Sequence, residues 1–196
     1  MSAHGMTPGR TTVRATAQRM GRLTRRFLAN ERGSPAVEFA LIVPFLAYLY
    51  FGSVELLQGV GLYRQVALTA STVAQVVTQY TTISASSQMP DVLNASVQIM
   101  SPYSTTNASI VVSCIAIDNT GKATVTWSQQ LHGTARTVGQ VITLPAALDT
   151  PNSNVILSEA AYSYVPAFDF LKMGTKSLKS SVYMLPRAST TINLAS

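Results

Sequence analysis

The chain has 196 residues, 47% hydrophobic and only 11% charged, with a formal charge of +6 and a single cysteine. That length holds one modest domain plus an anchor rather than two full domains. Charge this sparse is low for a cytosolic protein of this size, and one cysteine excludes an intramolecular disulfide.

The basicity is local. Arg10, Arg14, Arg19, Arg22, Arg25, Arg26 and Arg32 stand in the first 32 residues against Glu31 alone, which accounts for the whole +6. The remainder is formally neutral, so a basic face for nucleic acid is not expected on the folded part.

From Phe39 to Val54 the chain reads "FALIVPFLAYLYFGSV", without a charge. As a helix this run measures about 24 Å, and its uncharged flanks bring it to the roughly 30 Å of a bilayer core. The expected element is a bitopic membrane helix, with the lipid bilayer as partner and Glu38 and Glu55 near its two interfaces. Pro44 is tolerable there, leaving one carbonyl to be satisfied locally. Glu55 is expected to be a solvated carboxylate at the outer interface. Arginines on one side only place the N-terminus in the cytoplasm and about 130 residues outside it. Rival targeting signals are weaker fits. "YFGSVE" is a poor cleavage site for a secretory signal, and "TRRFL" lacks the spacer of a twin-arginine signal. An arginine-rich, acid-poor leader also fits a mitochondrial presequence.

Beyond the bilayer the helix is expected to continue to Tyr80. One seam is Leu56, Val60, Tyr63, Ala67, Ala70, Ala74 and Val77; an adjoining one is Leu62, Val66, Val73, Val76 and Tyr80. "TTISASSQMPD" ends it, and "DVLNASVQIM" predicts a short helix. Alternation then predicts strands over Ile110–Ala116 and Ala123–Trp127, joined by a "DNTG" turn. Further strands are expected at Val138–Leu144, Val155–Val165 and Leu178–Leu185, with "GTARTVGQ" and "DTPNSN" as loops. The fold class is therefore α+β: a long N-terminal helix, transmembrane and then amphipathic, carrying a small antiparallel sheet.

Chemistry-bearing constellations are missing from this pattern. His4 and His132 are the only histidines, so a metal cluster or a serine–histidine relay lacks its parts. No phosphate-binding glycine loop occurs, and Asp118, Asp149, Glu159 and Asp169 are scattered, with solvated or turn roles expected. No enzymatic activity and no cofactor is expected. Cys114 reads as a small buried hydrophobe.

Gly33-Ser34-Pro35-Ala36-Val37-Glu38-Phe39, after a basic leader and before a long apolar helix, resembles the type IV prepilin processing site. "ERGSPAVEFALIVPFL" followed by "GSVELLQ" resembles the TadE/TadG-like pseudopilins of the tight-adherence (Tad/Flp) pilus. "SPYST", "SIVVSCIAIDNTGKATVTWS", "YSYVPAF" and "MLPR" extend the resemblance over most of the chain from Glu31. It implies a pilin-like fold and cleavage between Gly33 and Ser34 by a prepilin peptidase. It also implies a pair between Glu38 and the new ammonium of a neighbour's Ser34. Other pilins or pseudopilins and Tad inner-membrane assembly proteins would be the partners. The expected organisation is a leader over 1–33, removed; a transmembrane part over 34–62; a periplasmic continuation of the helix over 63–84; and a periplasmic α+β domain over 85–196. The function implied is a minor pseudopilin or assembly factor. The alternative is an uncleaved membrane-anchored periplasmic binding or adhesion module.

Overall fold

The computed structural model describes residues 34–148, 150–166, 168–169 and 172–196. The leader, including Gly33, lies outside these residues, as does Asp149. Helix α1 spans Ser34–Val77 with Pro44 inside it. The chain divides into two units between Phe51 and Gly52.

In the first unit, α1 is apolar all round. Phe39, Leu41, Ile42, Val43, Phe45, Leu46, Leu49 and Phe51 are exposed and point to every side. Fully burying each such side chain would stabilise by about 1.5–3 kcal/mol, so together they leave well over about 10 kcal/mol unclaimed by the chain itself. A helix apolar on all sides belongs in a core or a membrane.

In the second unit α1 is one-sided. Leu62, Val66, Ala70, Val73 and Val77 are fully buried at spacings of four, four, three and four. Only part of the expected seams is therefore inward, since Leu56, Val60 and Tyr63 are exposed. Two buried hydroxyls on this face are satisfied along the helix itself: Thr69 Oγ1 donates to Gln65 O at 2.9 Å and Thr78 Oγ1 to Gln75 O at 2.9 Å. The helix stops at Val77, short of Tyr80. Its last carbonyls are met by a tightened turn, with Gln79 N donating to Val76 O and Tyr80 N to Val77 O.

Strand β1 (Thr82–Ser84) and helix α2 (Gln88–Val97) follow. Helix α2 starts before the expected Asp91 because Pro90 lies in its first turn, where a missing N–H costs nothing. Met89, Val92, Leu93 and Val97 turn inward.

The sheet comprises β2 (Ala108–Ile117), β3 (Ala123–Leu131), β4 (Ser153–Tyr164) and β5 (Lys176–Met184), all antiparallel in the order β3-β2-β4-β5. Even-numbered β2 residues, from Ala108 to Cys114, pack with α1 and α2 in the main core. On the opposite face Ile115, Ile117, Val155 and Leu157 form a smaller core. β2 and β4 thus lie buried on both faces over part of their length, which explains their nearly continuous apolar runs.

Val138–Leu144 is not a strand. Gly139 takes a φ of +83°, which breaks an extended path, and the segment meets β3 at a single bridge, Val141 with Thr124, where Gly139 N donates to Val125 O, Val125 N to Gln140 O and Ile142 N to Ala123 O. The segment instead runs beside β3 and lays Ile142 and Leu144 against the smaller core.

The last strand, β6 (Asn193–Ala195), pairs in parallel with β1. Trp127 Nε1 donates to Ile192 O at 2.7 Å, pinning this terminal segment to the core. The whole is mixed α+β, a long N-terminal helix and a small antiparallel sheet.

Candidate functional site

The residues singled out by the sequence lie along α1. Ser34 is its first described residue. Glu38 and Phe39 are exposed, and Pro44 sits within the helix. The described residues include one helix long and apolar enough to cross a membrane. Val54 is half-buried.

Glu55 departs from expectation. It is not a solvated carboxylate but is buried, with 5% of its surface exposed. Position along a bilayer does not fix the side of the helix, and the register does. Glu55, Gly59, Leu62 and Val66 are spaced four, three and four, so Glu55 shares the stripe that faces the sheet domain.

Three tyrosines line that stripe. A Cβ on Gly59 would stand 3.9 Å from Tyr164 Cε1, so the helix backbone runs close beside the ring. Tyr103 packs edge-on against Tyr162, ring centroids 6.3 Å apart, and Tyr103 Oη donates a long bond of 3.5 Å to Gln58 O. Gln65 Nε2 donates to Ser101 O at 3.3 Å. Burial pushes the Tyr164 phenol above its ordinary pKa, with the charge of Glu55 and then Tyr103 adding to the rise. Helix residues 55–65 are thereby laced to the segment before β2 and to the end of β4.

A second feature lies on the outer face of the sheet, where a groove of about 490 Å³ is lined by Ser109, Val111, Thr134, Arg136, Glu159 and Lys179 among others. Arg136 reaches Glu159 bidentately: Nε donates to Oε2 at 3.0 Å and Nη2 to Oε1 at 2.8 Å. The backbone N of Arg136 donates to Ser128 Oγ at 3.0 Å, and that hydroxyl bonds Ser113 Oγ at 2.9 Å. Gly133 lets this loop lie flat on β2, since a Cβ there would meet Val111 Cγ2 at 2.9 Å. The groove offers hydroxyls, one ammonium and a neutralised ion pair, a surface for polar ligands.

Glu159 was expected to be a solvated carboxylate, and its pairing with Arg136 was not foreseen. The available signal was its placement inside an alternating strand, at a polar position, in a chain so poor in charge.

Burial also pushes the Cys114 thiol up, against hydrogen bonds from Thr126 and the Ile192 backbone, so it stays a protonated core side chain at neutral pH. Among the described residues no group of three or more His, Cys, Asp or Glu is placed to hold a metal ion.

Comparison with known protein families, curated proteins and solved structures finds no match.

Proposed function

We propose that the chain is a membrane-anchored minor pseudopilin or assembly factor of a tight-adherence pilus, matured by a prepilin peptidase between Gly33 and Ser34. One observation carries this reading. A single helix exposes apolar side chains on every side up to Phe51, with the Glu38 carboxylate among them, and then supplies the buried spine of a small α+β domain. That division suits a subunit held in the bacterial inner membrane, N-terminus in the cytoplasm and domain in the periplasm, until it joins other pilins.

In this reading Glu38 meets the ammonium that cleavage creates on a neighbour's Ser34. Two unit charges at 4 Å attract by about 4 kcal/mol at an effective dielectric of 20, and desolvation reduces this to about 1–3. Glu38→Ala leaves insertion intact, since removing a charge makes it easier, and weakens association roughly tenfold or more. Glu38→Gln is nearly as harmful, and Glu38→Asp falls between.

The test is the intact mass of the protein co-expressed with a prepilin peptidase, followed by crosslinking normalised to cleaved protein. Ser34 as first residue supports the reading. A retained leader, in cells that trim an authentic prepilin, overturns it in favour of the uncleaved binding or adhesion module. The polar groove around Arg136 and Glu159 is the observation that favours that second reading.

A further inference from the structure

We propose that the groove on the outer face of the sheet is a saccharide site selective for acidic sugars of the hexuronate type. Glu159 and Arg136 hold ring hydroxyls there, and Lys179 takes the sugar carboxylate. The site lies wholly within the Gly52–Ser196 unit and is independent of how the leader is processed.

Strand register brings the polar groups together. Ser109, Ala161 and Lys179 stand side by side across β2, β4 and β5, and Val111, Glu159 and Ser181 form the next row. Alternation turns both rows away from the main core, which takes Ile110, Ala160 and Tyr162 instead. One row further on, Leu157 and Tyr183 belong to the smaller core. The groove is therefore the part of this face that the smaller core leaves open.

The loop that walls it is fixed at several points. Arg136 N donates to Ser128 Oγ at 3.0 Å, Ala135 N donates to Gln130 Oε1, and Glu159 grips the guanidinium. A guanidinium carries five N–H donors and a carboxylate about four acceptor sites, more than the pair uses on itself. Vicinal hydroxyls of a sugar each donate and accept, so they meet both partners at once. Val111 and Ala161 give a low apolar floor for the C–H face of a pyranose ring, with Ser109, Thr134 and Ser181 adding hydroxyls around it. The volume of about 490 Å³ falls within the roughly 300–1,000 Å³ of small-ligand sites.

Charge decides the class of sugar. Glu159 neutralises Arg136, while Lys179 meets no carboxylate at ion-pair distance among the described residues, so the groove is positive. Residues 172–196 carry Lys172, Lys176, Lys179 and Arg187 and no acid, which makes the β5 side of the groove the basic side of a formally neutral domain. A carboxylate on the sugar is drawn to that side. Nucleic acid fits less well, because no aromatic ring among the described lining residues offers a base a stacking surface.

The test uses the full chain in nanodiscs of phosphatidylcholine and reads the fluorescence polarisation of labelled trigalacturonate against labelled galactotriose, its neutral counterpart. The acidic probe should bind at least about tenfold more tightly. Lys179→Ala should bring it down to the level of the neutral probe; Lys179 is exposed, so this variant tests recognition rather than folding. Glu159→Gln should weaken both probes by about tenfold, and Lys122→Ala, on the turn between β2 and β3, should change neither. Equal binding of the two probes overturns the proposal, as does acidic binding that Lys179→Ala leaves unaltered. Displacement by triglutamate as effective as that by unlabelled trigalacturonate would mean a site for any acidic chain, which also overturns it. So does the absence of binding up to millimolar protein.

Discussion

From Phe39 to Phe51, α1 turns large apolar side chains to every side and leaves them exposed; from Leu62 to Val77 it turns smaller ones to one side and buries them. The second stretch keeps polar residues, among them Arg64, Ser71, Thr72 and Gln75, away from its buried side. The difference is azimuthal: a stripe needs one partner, which the sheet supplies, while a full apolar circumference needs a surrounding medium. Hydrophobicity alone therefore says that a segment leaves water, and its angular distribution says what it enters.

The sharpest way to break this comparison is to place the same charge in both stretches. Val73→Asp buries an unpaired carboxylate in the main core and should unfold the sheet domain, with a loss of about 4 kcal/mol or more. Leu46→Asp should leave the thermal melting of that domain unchanged. It should instead weaken membrane insertion by about 2.5–3.5 kcal/mol, read by extraction of membranes with carbonate. If both variants unfold the domain, the two stretches do not differ as described.

Within the buried half, Trp127→Phe removes the indole N–H that Ile192 O accepts and leaves a buried carbonyl without its donor. A loss of about 1–2 kcal/mol in urea denaturation is expected, with the membrane step unaffected. Smaller still is Arg136→Ala. The bidentate bond to Glu159 is short, but the two side chains are 27% and 34% exposed, so solvent screening limits the loss to about 1 kcal/mol. A double-mutant cycle with Glu159→Gln measures it, and a coupling above about 2 kcal/mol would show that the groove does more for the fold than its exposure suggests.

Glu55 sharpens the boundary itself. Tyr164 is raised first by burial and next by Glu55, so its neutral form is favoured in the folded state. Stability is intact below the ordinary tyrosine value near 10 and falls as pH rises from there through the higher folded value. Glu55→Gln removes one cause of the rise, so Tyr164 should ionise at lower pH and less stability should be lost over that alkaline window. Phenolate absorbance, differenced against Tyr164→Phe, reads the shift; no change would mean that Glu55 does not face the ring.

Much of this architecture was legible because it is local. Alternation found β2 and β3, since each side of a pleat answers to a core at a spacing of two, and local runs found β4 and β5. The helix was legible by its length, but the inward stripe was not. Two adjoining seams fit the sequence equally, and only the sheet decides that Leu62 faces in while Val60 faces out. Glu55 was misplaced for the same reason. Val138–Leu144 has strand composition, yet one glycine at positive φ redirects it. The pair of Arg136 and Glu159 joins a loop to a strand 23 residues on, and β1 and β6 are three residues each. Neither feature is long enough to leave a period.

The parallel pairing of β1 with β6 sets an order of events. Synthesis delivers α1 first, while most of the domain is still unmade. Thr82 cannot pair until Asn193 exists, and the Trp127 indole waits 65 residues for the carbonyl of Ile192. Closing so long a loop is slow and comes late. Until that moment Thr82–Ser84 lacks its strand partner. In that interval β1 is an unpaired strand open to wrong pairing, and a helper that shields it would be needed only until β6 arrives.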